Sequence, residues 1–172
     1  MTLWISLKDI PAEGQAFQLT DQSIWTGPLA EFSVPATIAT PIEASLYIVP
    51  QDEGFLVTGT MRGSVTLPCD SCLEGFELPL KVTFDSFEEY AGADTLHADE
   101  CRLRKERGNP EFDAGGYLWE HFMLALPTRP VCKPECKGLC PKCGENRNLG
   151  ECGCSGDEGD PRLAVLRKLK LS

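Results

Sequence analysis

Between Val131 and Cys154 the chain reads VCKPECKGLCPKCGENRNLGECGC, and six of its nine cysteines lie there. No other stretch limits the fold so sharply, because Val131, Leu139 and Leu149 are its only sizeable apolar side chains. Burying one such side chain contributes about 1.5–3 kcal/mol, which in sum is far too little to fold the segment. A bound structural zinc contributes on the order of 10–16 kcal/mol at neutral pH. The expectation is therefore a tail organised by thiol-bound zinc in place of a hydrocarbon core.

The spacing suggests how the sulfurs divide. In Cys140-Pro141-Lys142-Cys143-Gly144 the proline presets φ and the glycine can take φ > 0, so both sulfurs can turn toward one ion. Cys152 and Cys154, alternate residues of an extended segment, present their thiols to one side. Together Cys140, Cys143, Cys152 and Cys154 predict a closed four-thiolate site. Such a site is structural, because a catalytic zinc keeps one position for water. A second pair, Cys69 and Cys72, cannot close a tetrahedron alone, and Cys132 with Cys136 are the two tail thiols left over; a second site joining these four is expected.

Other readings stay open at this level. Cys69 and Cys72 suit a thiol–disulfide redox protein, although redox dithiols usually open a helix, and strand patterns flank this pair; they also suit a pair of free structural thiols. Disulfides are disfavoured by the odd cysteine count and by an N-terminus, MTLWISLKDIPAEG, with no basic start and apolar run. Cys136, Cys140 and Cys143 have the spacing of a radical-enzyme iron–sulfur motif. Against that, Lys142 stands where an aromatic is expected, and fewer than thirty residues follow where a barrel needs about 200. A zinc hydrolase would need an open position and a general base, and no His-Glu cluster accompanies the cysteines. One or two structural zinc ions are expected, with the division of the six tail cysteines left unfixed. Cys101 reads as a free thiol.

Ahead of the tail the pattern is that of an α+β domain over residues 1–128. Leu3, Ile5 and Leu7 alternate with Trp4, Ser6 and Lys8 as a short strand, and residues 12–41, broken by Gly27-Pro28, Pro35 and Pro41, read as short strands and loops. Ile42 to Ile48, Phe55 to Pro68 and Phe76 to Phe84 alternate with period two as an antiparallel meander, with Cys69 and Cys72 at its second turn. Asp85 to Glu100 holds six acidic residues and no Lys or Arg, and 91–112 reads as a mobile connection. The cluster Arg102, Arg104, Lys105 and Arg107 reads as a solvated face or a phosphate contact. Tyr117, Leu118, His121, Phe122, Leu124 and Ala125 recur at helical spacing from about Asp113 until Pro127, predicting one helix packed on the apolar face, with His121 at the border of the core. Residues 129–156 form the zinc-binding segment, and 157–172 a short basic helix capped at Asp160-Pro161.

Charge narrows the partners. The net charge is −10, and each four-thiolate zinc site would add −2, so the body cannot hold nucleic acid by an overall positive field. The basic C-terminal helix, with Arg162, Arg167, Lys168 and Lys170, is the candidate surface for RNA or a partner. No stretch approaches the roughly 20 apolar residues of a membrane span, and a reducing cytoplasm is the expected compartment. No small-molecule substrate is expected.

Three motifs in order carry a resemblance: Cys69-Asp70-Ser71-Cys72-Leu73-Glu74, then Glu120-His121-Phe122-Met123-Leu124-Ala125-Leu126-Pro127, then Cys136-Lys137-Gly138-Leu139-Cys140-Pro141-Lys142-Cys143-Gly144 with Asn146 and Asn148. Over about residues 40–154 the chain resembles the bacterial and plastid YceD family, also called the large ribosomal RNA subunit accumulation protein family. The resemblance implies a non-enzymatic factor in large ribosomal subunit biogenesis, supporting accumulation of its RNA through a ribosomal protein or the RNA precursor. Family members commonly carry a basic residue before the second cysteine of the first pair, where this chain has Ser71. The acidic body favours a basic ribosomal protein as the direct partner, with the C-terminal helix reaching RNA.

Overall fold

The computed structural model describes residues 3–90, 102–106 and 109–154. Its centre is the predicted meander. Strand β3 (Thr37–Pro50) turns at residues 51–53 into β4 (Gly54–Pro68), which turns at the first cysteine pair into β5 (Gly75–Glu89). A short β2 (Gln15–Leu19) pairs on the far side of β3, giving an antiparallel sheet in the order β2-β3-β4-β5. Alternation sorts the faces: Ile42, Ala44, Leu46 and Ile48 of β3 and Phe55, Val57 and Met61 of β4 are all buried in the core. Gly59 stands opposite Phe84, and a Cβ there would lie 2.4 Å from the ring, so the glycine is what lets Phe84 cross the inner face.

The predicted N-terminal strand exists as β1 (Trp4–Ser6), but it joins a separate three-stranded sheet, β1-β7-β6, with β6 at Leu103–Glu106 and β7 at Asn109–Asp113. The stretch expected as a mobile connection, 91–112, therefore holds paired strands over 103–106 and 109–112, where Phe112 is fully buried against Phe55 with ring centroids 5.1 Å apart. Its neighbours, His97, Cys101 and Arg107 among them, lie outside the described residues. Arg102 pairs with Glu120 and sits 5.1 Å over the Tyr117 ring, while Arg104 pairs with Glu111 at 2.8 Å and sits 4.1 Å over Trp4. These two arginines are engaged within the fold.

Residues 12–41 differ from expectation in holding a helix, α1 (Ser23–Glu31), that runs through Gly27 and Pro28. Burial of Ile24, Trp25 and Leu29 outweighs the local cost of an interior proline, roughly 3 kcal/mol in an unsupported helix. Gln22, at its N-terminus, donates from Nε2 to the Ile42 carbonyl and accepts at Oε1 from the Ile42 N–H, both at 2.9 Å. Its amide thus satisfies β3 where the register with β4 slips around Pro41.

The second helix, α2 (Ala114–Ala125), begins as predicted at Asp113, whose carboxylate accepts from the Gly116 N–H at 3.0 Å. It lies against the sheet's inner face: Tyr117 meets Phe84 edge-on at 5.5 Å, and His121 stacks flat on Phe84 at 4.3 Å. Phe122 packs on Trp25 of α1 at 5.5 Å. His121 thus borders the core, and the tail leaves from the C-terminal end of this helix.

Candidate metal centres

Each cysteine pair of the form Cys-x-x-Cys sits in the same tight turn. At the β4–β5 turn the Cys69 N–H donates to the Glu74 carbonyl (2.9 Å), and the Leu73 N–H donates back to the Cys69 carbonyl (2.8 Å). In the tail the Cys140 N–H donates to the Glu145 carbonyl (2.8 Å), and the Gly144 N–H donates back to the Cys140 carbonyl (2.9 Å). Closing this ring needs positive φ at the fifth residue. Gly144 supplies it at +76°, and Leu73 adopts it at +63° without a glycine's freedom.

The turns gather two sets of four sulfurs. Cys69, Cys72, Cys132 and Cys136 lie within 4.8 Å of one another, and so do Cys140, Cys143, Cys152 and Cys154. In the first set Cys69 and Cys136 are 3.9 Å apart and Cys72 and Cys132 are 3.8 Å apart. Disulfide sulfurs lie about 2.05 Å apart, so these are separate thiols. Four sulfurs each about 2.3 Å from a central ion form a tetrahedron whose edge is roughly 3.8 Å. The donors therefore fit a tetrahedral thiophilic ion in type, number and spacing.

The electrostatics of each set ask for a cation. Burial opposes ionisation of Cys69, yet N–H groups of Cys132, Cys72 and Ser71 and the Cys72 thiol bring its pKa down to about 6. Cys132 is pushed up to about 12, first by burial and then by the sulfurs of Cys136, Cys69 and Cys72. In the tail, N–H groups of Cys143 and Lys142 and the Cys152 thiol hold Cys140 at about 6. The Glu145 N–H pulls Cys143 down, but the Cys140 sulfur, burial and the Cys154 and Cys152 sulfurs drive it up to about 12. Backbone dipoles can stabilise part of the negative charge; all four thiolates coexist only around a positive ion.

The two sets differ in surroundings. The first ties elements distant in sequence: Asp70 donates its N–H to the Pro130 carbonyl (2.8 Å), Leu139 donates to the Ser71 carbonyl (2.9 Å), and Cys69 and Cys72 are buried. Gly138, at φ +65°, packs so closely that a Cβ would lie 2.9 Å from the Ser71 carbonyl oxygen. The second set lies wholly in the tail, with Cys143 and Cys154 exposed.

Asn146 and Asn148 brace the first set from within the tail, a role their sequence position did not disclose. Asn148 donates from Nδ2 to Cys136 Sγ (3.4 Å) and accepts at Oδ1 from the Lys137 N–H (3.0 Å). Asn146 accepts at Oδ1 from the Asn148 N–H (3.0 Å) and donates from Nδ2 to Glu74 (3.4 Å). In the sequence they stood out only as two amides at alternate positions within the third motif of the resemblance. Arg162, Arg167, Lys168 and Lys170 lie outside the described residues.

Comparison with known proteins brings in the family. Residues 57–170 match the family model "Large ribosomal RNA subunit accumulation protein YceD". A Mycobacterium tuberculosis protein described as uncharacterized is 30% identical over 157 residues, spanning 81% of this chain and 74% of its own length. The chloroplastic "Large ribosomal RNA subunit accumulation protein YCED homolog 1" of Arabidopsis thaliana is 25% identical over 157 residues, 76% of this chain and 49% of that protein. Its Zea mays namesake is 24% identical over 178 residues, 87% and 60% of the two lengths. No solved structure matches.

Proposed function

The chain belongs to the YceD family of large ribosomal RNA subunit accumulation proteins, and from that premise we propose that it is a non-enzymatic, zinc-organised binding factor in large ribosomal subunit biogenesis. It supports accumulation of the large-subunit RNA by engaging a basic ribosomal protein, with Arg162, Arg167, Lys168 and Lys170 reaching the RNA precursor. It works in the cytoplasm; among the described residues no helix is long and apolar enough to cross a membrane.

The observation that carries this reading is the partition of eight thiols into two sets of four. Each set has the thiolate number of a closed structural zinc site, with no ligand position given over to water. The zinc ion, when bound, supplies the positive charge that lets the four sulfurs ionise together. Cys69, Cys72, Cys132 and Cys136 then hold the sheet's turn to the start of the tail, and Cys140, Cys143, Cys152 and Cys154 hold the tail to itself. The same partition leaves Cys69 and Cys72 without the isolated dithiol arrangement that a redox protein needs.

Native mass spectrometry before and after chelation, paired with depletion of the chain in cells, tests the proposal. Two zinc ions per chain and a fall in the ratio of large- to small-subunit RNA are expected. A metal-free chain with an ordered tail, turnover of a disulfide substrate by Cys69 and Cys72, or an unchanged RNA ratio would each overturn it.

A further inference from the structure

The four-stranded sheet has an outer face that takes no part in the core. Register places Leu56 opposite Phe87 and Thr58 between Tyr47 and Asp85. Tyr47, Leu56 and Phe87 are 42%, 37% and 48% exposed. Single exposed apolar side chains are ordinary, but three on neighbouring strands form a patch. Continuous with it is a shallow trough of about 590 Å³ lined by Tyr47, Leu56, Thr58, Thr60, Thr83 and Asp85. Around the apolar side chains stand carboxylates: Asp52 and Glu53 in the β3–β4 turn, and Asp85 and Glu89 on β5, all exposed. Among the described residues, the first basic side chains along the face are Arg62 and Lys81, opposite each other and two residues beyond the Thr60–Thr83 pair. One end of the sheet therefore combines a strongly negative rim with an apolar floor.

We propose that this end of the outer face, around Tyr47, Leu56 and Phe87 within the rim of Asp52, Glu53, Asp85 and Glu89, docks an extended basic segment of a partner protein. The segment would place an aromatic or aliphatic side chain between Leu56 and Phe87 and flank it with Arg or Lys. Charge decides the occupant. Four carboxylates with no adjacent cation among the described residues repel a phosphate backbone, whose binding depends on Lys and Arg. A second copy meeting this patch across a two-fold axis would set acid against acid. A cationic peptide gains from both the rim and the floor, and the attraction guides its approach. The proposal rests on the functional reading above only in taking the partner from the proteins of the large ribosomal subunit.

The test uses the full, metal-loaded chain, the separated proteins of the large ribosomal subunit and deproteinised large-subunit RNA, with binding read by fluorescence anisotropy. At least one basic protein should bind, and more weakly as salt rises from about 0.1 to about 1 M, where the screening length falls from roughly 10 to 3 Å. Asp85→Lys with Glu89→Lys should raise Kd at least tenfold. Phe87→Thr should also weaken binding while keeping the salt dependence. Unchanged zinc content and thermal midpoint establish that both variants fold. Equal binding by wild type and both variants sinks the proposal, as does RNA bound on this face and tightened by the double lysine variant. Self-association abolished by Phe87→Thr would give the patch to a second copy. Amide-exchange protection of β5, with no protein added, that vanishes when Arg162, Arg167, Lys168 and Lys170 are all changed to Ala would give it to the chain's own C-terminal segment. Complementation separates the two levels. A double lysine variant that restores RNA accumulation in depleted cells removes this surface alone, whereas a wild-type chain that fails to restore it removes the functional reading.

Discussion

The two cysteine clusters share one turn and differ in nearly everything around it. Cys69 to Glu74 and Cys140 to Glu145 close the same hydrogen-bonded ring, so each contributes two sulfurs in the same way. Yet the first cluster draws its other two sulfurs from more than 55 residues away, with contact separations of 60 and 67, and buries the pair it starts from. The second draws its sulfurs from one short segment and leaves two exposed. Loop-closure entropy grows with the separation of the ends, so assembling the first cluster needs support beyond its own four sulfurs. It receives that from the sheet, from the Pro130 and Ser71 carbonyls and from Asn148. The lesson is that a local motif fixes a pair of sulfurs, whereas its surroundings decide whether the cluster joins elements distant in sequence or stays within the tail.

The largest effect that would break this comparison comes from removing metal. Structural zinc contributes on the order of 10–16 kcal/mol to small metal-folded segments, so chelation should abolish amide-exchange protection over residues 131–154 while the sheet and α2 keep a cooperative unfolding transition. Release followed with a chromogenic chelator should run in two phases of equal amplitude, the faster from the Cys140, Cys143, Cys152 and Cys154 set, of which Cys143 and Cys154 are exposed. Cys154→Ser should remove the fast phase and leave the slow one. A single phase, or loss of the sheet's cooperativity along with the tail, would show that the clusters are one unit.

How much of this was legible in the sequence follows from the same contrast. Period-two alternation from Ile42 to Phe84 disclosed the meander because one face is buried and every second residue reports it. The helix ending at Pro127 was equally plain, since Asp113 and Pro127 mark its ends. Helix α1 was not, because Gly27 and Pro28 argue against a helix locally and only the burial of Trp25 overrides them. The strands at 103–106 and 109–113 were hidden for a related reason. Leu103 and Phe112 are their main apolar side chains, and the pairing that orders them comes from Trp4 to Ser6, over a hundred residues earlier. Among the cysteines, elimination placed Cys132 and Cys136 with Cys69 and Cys72, whereas nothing in the sequence revealed that Asn146 and Asn148 brace that first cluster.

Those amides give the next effect in size. Groups that hydrogen-bond to metal ligands typically cost 10–100-fold in metal affinity when removed. Asn148→Ala deletes the donor to Cys136 Sγ and the acceptor for the Lys137 N–H. It should weaken metal at the Cys69, Cys72, Cys132 and Cys136 set by that factor in competition with a chelator, and narrow the gap between the two release phases. An equal loss at both clusters would mean that Asn148 acts on the whole tail rather than on Cys136.

The smallest effect lies in the turn itself and is the most specific. Leu73 holds φ +63° where Gly144 holds +76° in the matching turn, and an L-residue there costs roughly 1–2 kcal/mol. Leu73 is 67% exposed, so little burial repays that cost within the chain. Leu73→Gly relieves the backbone, while the glycine's greater freedom when unfolded returns about 0.5–1 kcal/mol of the gain. Its net effect on unfolding should therefore lie between neutral and about 1 kcal/mol of stabilisation. Gly144→Leu, which meets no atom within 4 Å of its new Cβ, should cost the backbone strain alone and speed only the fast phase of metal release. Should Leu73→Gly instead destabilise the chain by more than about 1 kcal/mol, the leucine side chain would have to be holding the first turn in a way that the exposed Gly144 turn does without.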